Sequence, residues 1–211
     1  MFGSSGSSAV LHDDRDLKRS IRLRIRAERL LRDPIQREAD ARAIAALLLE
    51  LPEIASARCV AAYASTSSAP GTAPLRQGLR DAGVRVLLPV LLGDGHLDWA
   101  VDGGGLSPPA GRSGAELPGP LLGLEGIGQA QVVIVPALAV DTLGNRLGQG
   151  AGFYDRTLRL IEPSVPVFAL VYESELMDAA IEPIPAQPHD IPVDAVVTPH
   201  RCLRLAPRIR H

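Results

Sequence analysis

Aromatic residues, cysteines and long apolar runs are all scarce in this sequence, and each shortage removes a class of function. Three Phe, three Tyr and one Trp make up 3% of 211 residues, too few for the stacked rings that hold single-stranded nucleic acid. A formal net charge of -2 supplies no general attraction for phosphate backbones or anionic membranes, and no nucleic-acid-binding motif occurs. Cys59 and Cys202 lie far apart and form neither a CxxC pair nor a disulfide framework, which suits buried or incidental thiols in a reducing compartment. No apolar run approaches the roughly 18 residues of a membrane span, and MFGSSGSSAV lacks the charged start and apolar stretch of a secretory signal. A cytosolic protein with no membrane and no nucleic-acid partner is expected. HExxH and GxSxG are missing too, which moves zinc hydrolysis and serine-hydrolase chemistry down the order.

What is present suits one core: 46% of residues are hydrophobic and 22% charged. The Gly/Ser opening, residues 1–14, reads as a flexible extension, 15–205 as one domain and 206–211 as a tail. Leu17, Ile21 and Ile25 at four-residue spacing predict a helix over Asp16–Arg32. A second helix follows DPIQ, with Asp33 as cap, Pro34 at the first helical position and Gln36 placed to reach back. RCVAAYA reads as a strand, Thr72 to Gly83 brackets a helix, and VRVLLPVLL is a buried strand, giving a parallel pair. GHLDWAV adds a strand, and Asp102 to Gln129 is mainly irregular. QVVIVPALAV predicts a central strand whose pairing ends at Pro136; then come a helix near FYDRTLRLIE, strand PVFALVY, a helix around Ser174–Ala180 and strand VDAVVTP. This alternation predicts an α/β fold: a three-layer single domain with a mostly parallel central sheet flanked by helices.

The segment RLGQGAGFYDR, Arg146 to Arg156, bares the backbone at Gly148, Gly150 and Gly152. Amides there can approach an anion, with Arg146 as counter-charge and a helix start behind. GQGAG matches neither the Walker A loop nor the dinucleotide fingerprint, so a plain turn is the competing reading. Asp155 reads as a Mg²⁺ ligand or a helix-start carboxylate, and Asp194 as an ion-site or loop-closing carboxylate. Lys18, Arg22 and Arg26 share one helical stripe, either a solvated face or a binding face. His189, beside Asp190, suggests acid-base work or a loop-positioning role.

Taken together, KRSIR, VIVPALAVDTLGNRLGQGAGFYDRTL and HDIPVDAVVTP resemble the 5-formyltetrahydrofolate cyclo-ligase family over nearly the whole ordered chain. The resemblance implies an enzyme that uses ATP and Mg²⁺ to turn 5-formyltetrahydrofolate into 5,10-methenyltetrahydrofolate through a phosphorylated formyl intermediate, releasing ADP and phosphate. It implies ATP contacts at Lys18, Arg22, Arg146, Leu147, Gly148, Gln149, Gly150, Ala151, Gly152, Phe153 and Tyr154, with Arg146 and Lys18 stabilising transition-state charge. Asp155 and Asp194 would be the Mg²⁺-associated carboxylates, and Ala64, Ala69 and Gln149 to Phe153 would border the folate. One departure stands out: YASTSSAPGT has Ala69 where the family generally carries a folate-contacting glutamate. Either another acid such as Glu116 substitutes, or the enzyme is slow or altered in substrate choice, or the chain is a non-catalytic nucleotide- or folate-binding relative. A different ATP-dependent enzyme acting on a related amide is a further alternative. A monomer is expected.

Overall fold

The computed structural model describes residues 5–66, 68–103 and 120–206. Three helices, α1 (Ser5–Leu30), α2 (Pro34–Leu49) and the one-turn α3 (Pro52–Ala55), precede strand β1 (Cys59–Ala61). Helix α4 (Ala73–Asp81), β2 (Arg85–Leu91), β3 (Leu97–Val101), a 3-10 helix at Leu124–Gln129 and β4 (Val132–Pro136) follow. The second half holds β5 (Ala139–Asp141), β6 (Arg146–Leu147), α5 (Phe153–Thr157), β7 (Val167–Leu170), β8 (Leu176–Met177), β9 (Ala195–Val197) and β10 (Cys202–Arg204).

Seven strands form the main sheet in the order β10-β9-β7-β4-β1-β2-β3. Its five inner strands are parallel, and β3 and β10 close the edges antiparallel. β4 is the middle strand and its ladder ends at Pro136, as expected from a residue with no amide hydrogen. Alternate residues feed two cores. Val60, Ile134 and Phe168 face Ile44, Leu48, Leu75 and Leu79 of α2 and α4, while Ala61, Val133 and Ala169 face Trp99, Ile127, Leu158 and Ile161. Burying one such large side chain stabilises the fold by about 1.5–3 kcal/mol. The chain leaves β1 toward β2 on one side and continues from β4 to β7 and β9 on the other. The order therefore reverses between β1 and β4, which opens a crevice beyond their carboxyl ends.

Helix α1 lies outside this sandwich. Ile21 and Ile25 pack with Leu138, Leu147, Met177 and Ile184 over a second sheet, β6-β5-β8, which the sequence reading did not anticipate. The helix starts at Ser5, inside the segment expected to be an extension. Leu17 does not join the buried face, being 43% exposed, while Lys18 is only 8% exposed. The inward stripe runs through Lys18, Ile21, Ile25 and Arg29, so it is half ionic.

Other expectations need correction. Asp33 caps α2 by accepting the Ile35 amide, but Gln36 donates to Asp40 Oδ1 at 2.8 Å instead of reaching back. Thr72 stands at the head of α4, yet its hydroxyl donates to the Tyr63 carbonyl and caps nothing. Ser174–Ala180 is not a helix. Glu175 is drawn inward to Arg29 and the Tyr172 amide, which ends a single 3-10 turn at Glu173–Glu175, and Leu176 and Met177 then extend along β5.

Candidate active site

The carboxyl ends of β1 and β4 open into a cleft of about 500 Å³. Tyr63, Ala64 and Thr66 after β1, with Pro136, Ala137 and Leu138 at the end of β4, form its base. Lys18 and Arg22 of α1 and the segment Arg146–Asp155 supply a polar wall, and Pro89, Leu91 and Leu97 of the β2–β3 hairpin an apolar one.

The polar wall is set from below by Asp141, which is fully buried at the end of β5. Its Oδ1 accepts the Leu143 and Asn145 amides at 3.0 and 2.9 Å, and its Oδ2 accepts Asn145 Nδ2 and the Ile184 amide at 2.8 and 3.1 Å. A short acidic side chain in a turn closes backbone donors in this way, so Asp141 fixes the turn into β6 and the start of the glycine segment. The sequence signal was the DTLGN run, an aspartate followed by turn formers.

Arg146 leaves β6 with 7% exposure. Its Nη2 donates to Asp155 Oδ1 at 2.6 Å and its Nε, buried, has no hydrogen-bond partner among the described residues. Gly148 leaves room for this side chain, since a Cβ there would lie 2.9 Å from Arg146 Nη1. Gly150 adopts φ of +109°, a conformation that disfavours any side chain, directly beneath the Arg22 guanidinium. The helix expected after these glycines is only the five-residue α5, too short for a developed dipole.

The basic stripe of α1 turns toward this segment. Arg22 Nε donates to the Gly148 carbonyl at 2.9 Å, and Arg26 holds Gln149 through its carbonyl and side-chain oxygens. Burial and the Arg26 charge lower the Arg22 pKa while Asp190 opposes them; a guanidinium stays protonated regardless. Lys18 Nζ donates to Asp190 Oδ2 at 2.6 Å. Burial works against ionisation of Asp190, but Lys18 and the Gln187 amide outweigh it and hold the carboxyl below its ordinary value. Two cations of the cleft, Lys18 and Arg146, thus carry internal carboxylate partners, Asp190 and Asp155.

Lys18, Arg22, Leu147 to Asp155, Ala64 and Ala69 all line this one cleft with Arg146. Asp194 does not. Its Oδ2 accepts the amide of Val167, first residue of β7, at the strand starts opposite the cleft. Asp190, four residues earlier, is the cleft carboxylate that sequence reading passed over in favour of Asp194. His189 lines the cleft mouth with an exposed ring, its Nε2 3.6 Å from Asp190 Oδ1, beyond hydrogen-bond reach. Ala69 packs against the core and its carbonyl accepts the Tyr172 hydroxyl at 3.3 Å. Glu116 lies outside the described residues. Among the described residues, Asp155 and Asp190 are the carboxylates lining the cleft, and the Ile191 amide reaches Asp155 Oδ1 at 3.5 Å. Oxygen donors few in number, beside groups suited to phosphate, fit Mg²⁺, which keeps several waters and takes the rest from its ligand.

Fold and cleft together define an α/β enzyme with a basic wall facing an apolar one across a topological switch point. The chain belongs to the 5-formyltetrahydrofolate cyclo-ligase family, whose model matches residues 14–199. It is 43% identical over 170 residues to the 5-formyltetrahydrofolate cyclo-ligase of Mycolicibacterium smegmatis, covering 78% of this chain and 84% of that one. The Escherichia coli K12 protein of the same name is 31% identical over 186 residues, covering 84% and 97%. Among solved structures, the 5,10-methenyltetrahydrofolate synthetase of Aquifex aeolicus superposes with a TM-score of 0.72 at 25% identity, covering 92% of this chain and 97% of that one.

Proposed function

We propose that this chain converts 5-formyltetrahydrofolate to 5,10-methenyltetrahydrofolate, with ATP as phosphoryl donor and Mg²⁺ bound, acting as a cytosolic monomer. The names of its relatives support the substrate and product. The observation that carries the nucleotide is the junction of α1 with the glycine segment through Arg22 and the Gly148 carbonyl, since it turns two distant basic segments onto one space.

In this reading Lys18, Arg22 and Arg146–Tyr154 take the triphosphate, and Ala64, Ala69 and Gln149–Phe153 border the folate. The formyl oxygen attacks the γ-phosphorus as the bond to ADP breaks. N10 then closes on the activated carbon, phosphate leaves, and the N10 proton passes to solvent. Phosphoryl transfer depends on alignment and charge neutralisation, and Arg146 and Lys18 supply the charge. Burial of Arg146, with an unsatisfied Nε, keeps its cation in low dielectric where it acts most strongly. Asp155 and Asp190 would hold Mg²⁺, which would supply charge neutralisation to the phosphates; Asp194, turned to the Val167 amide, is not placed to help.

Methenyltetrahydrofolate absorbance, followed with and without ATP, tests the reading. Product should form only with ATP, and Arg146→Ala should abolish it; full turnover in that variant would refute the assignment. Ala69 favours one competitor, a binding protein without turnover, which would bind magnesium nucleotide in calorimetry and form no product.

A further inference from the structure

The two walls of the cleft come from different parts of the chain, and Arg156 joins them. Its Nη2 donates to the Gly95 carbonyl at the tip of the β2–β3 hairpin, at 2.5 Å, and to the Ala151 carbonyl of the glycine segment at 3.1 Å. The same guanidinium lies 5.5 Å from the centroid of the Phe153 ring, which lines the cleft. The hairpin tip is itself ordered by Leu92 and His96 backbone pairing and by Gly95 in a left-handed turn. Leu91 and Leu97 lie just below that tip and form the apolar wall.

The geometry points to Arg156 as a positioning residue: it fixes the distance between the apolar wall that packs the folate and the segment that holds the phosphates. It touches neither ligand. Both bonds leave one nitrogen, Nη2, whose two N–H groups are fixed in the guanidinium plane; an ammonium has donors enough for both carbonyls but rotates freely on a flexible stem, so it holds them less firmly. Reaction requires the formyl oxygen within attack distance of the γ-phosphorus, and misplacement by about 1 Å can cost on the order of 100-fold. The inference rests on the function proposed above.

The experiment compares wild type, Arg156→Ala and Arg156→Lys for ADP affinity by calorimetry, and for KM and kcat with 5-formyltetrahydrofolate. Arg156→Ala should keep ADP affinity within about threefold, while kcat/KM for the folate falls roughly 10- to 100-fold; Arg156→Lys should fall between. Leu97→Ala supplies the second arm. If Arg156 acts through the hairpin wall, the double variant should lose less than the product of the single losses. The single tryptophan, Trp99 on β3, reports in each variant whether the hairpin keeps its native fluorescence. Unchanged folate parameters in Arg156→Ala, an equal loss of ADP affinity, or strictly multiplicative losses would each overturn the inference while the proposed function stands. Wild type that neither binds nor turns over 5-formyltetrahydrofolate would overturn both.

Discussion

Gly148→Ala isolates a single methyl group. Gly148 has no positive φ, so alanine fits the backbone and the test concerns space alone. The new Cβ would stand 2.9 Å from Arg146 Nη1, inside the separation that real Cβ atoms show, so the guanidinium must move. Arg146 has little room, being 7% exposed and tied by Nη2 to Asp155 at 2.6 Å. Displacing it weakens a hydrogen bond between charged groups, worth about 1.5–3 kcal/mol, which corresponds to roughly 10- to 150-fold in a rate or binding constant. Calorimetry with magnesium ADP and the absorbance assay should both register a loss in that range, while the melting temperature shifts by only a few degrees. A variant with wild-type affinity and turnover would show that Arg146 is not held where its function requires.

Three further outcomes follow from the same contacts. Arg29 and Glu175 form a buried bidentate pair at 2.7 and 2.8 Å, so Arg29→Ala should destabilise the protein by about 3–5 kcal/mol in urea unfolding; a loss under 1 kcal/mol would contradict it. Ala69→Glu should raise kcat/KM for the folate about tenfold or more if the missing acid limits turnover, since a charged acceptor contributes about 1.5–3 kcal/mol; no gain would shift attention away from Ala69. The Asp190 carboxyl titrates below its usual 3.8 in the folded chain, so the Lys18–Asp190 pair stabilises fully above pH about 4 and its contribution fades as pH falls through the folded value. Melting temperatures from pH 7 to 3 should therefore drop more steeply for wild type than for Asp190→Asn, and parallel curves would refute the linkage.

The main sheet was readable because its strands are short apolar runs between turn formers, as at RCVAAYA and QVVIVPALAV, and β1, β2, β4, β7 and β9 fall there. The glycine segment was equally plain. The cleft-side carboxylate was not, because HDIPVD offers two aspartates and only the path of the chain decides between them. Asp194 immediately precedes β9 and so sits at the strand starts, while Asp190 lies in the approach that passes α1. The family resemblance turned Lys18 and Arg22 toward the glycine segment, but the apolar pattern of α1 misplaced its buried face. Apolar spacing alone favoured Leu17, whereas the cleft wants cations, and Lys18 and Arg29 take places on the buried stripe that hydrophobicity would have denied them. Periodicity also missed β8, since Leu176 and Met177 are extended by their pairing with β5 and by nothing in their own composition.

Helix α1 brings Lys18 and Arg22 to the cleft, yet it is fastened by a thin apolar seam of Ile21 and Ile25 and by ion pairs, Arg24–Glu182 at the surface among them. Segments held this way open at lower free energy than the sheet they rest on. Rising denaturant or ionic strength should thus free α1 first, leaving a folded but deaf scaffold before the strands come apart. A nucleotide bound as proposed would clamp the helix down, so its saturation should protect the amides of residues 18–29 far more than those of β4.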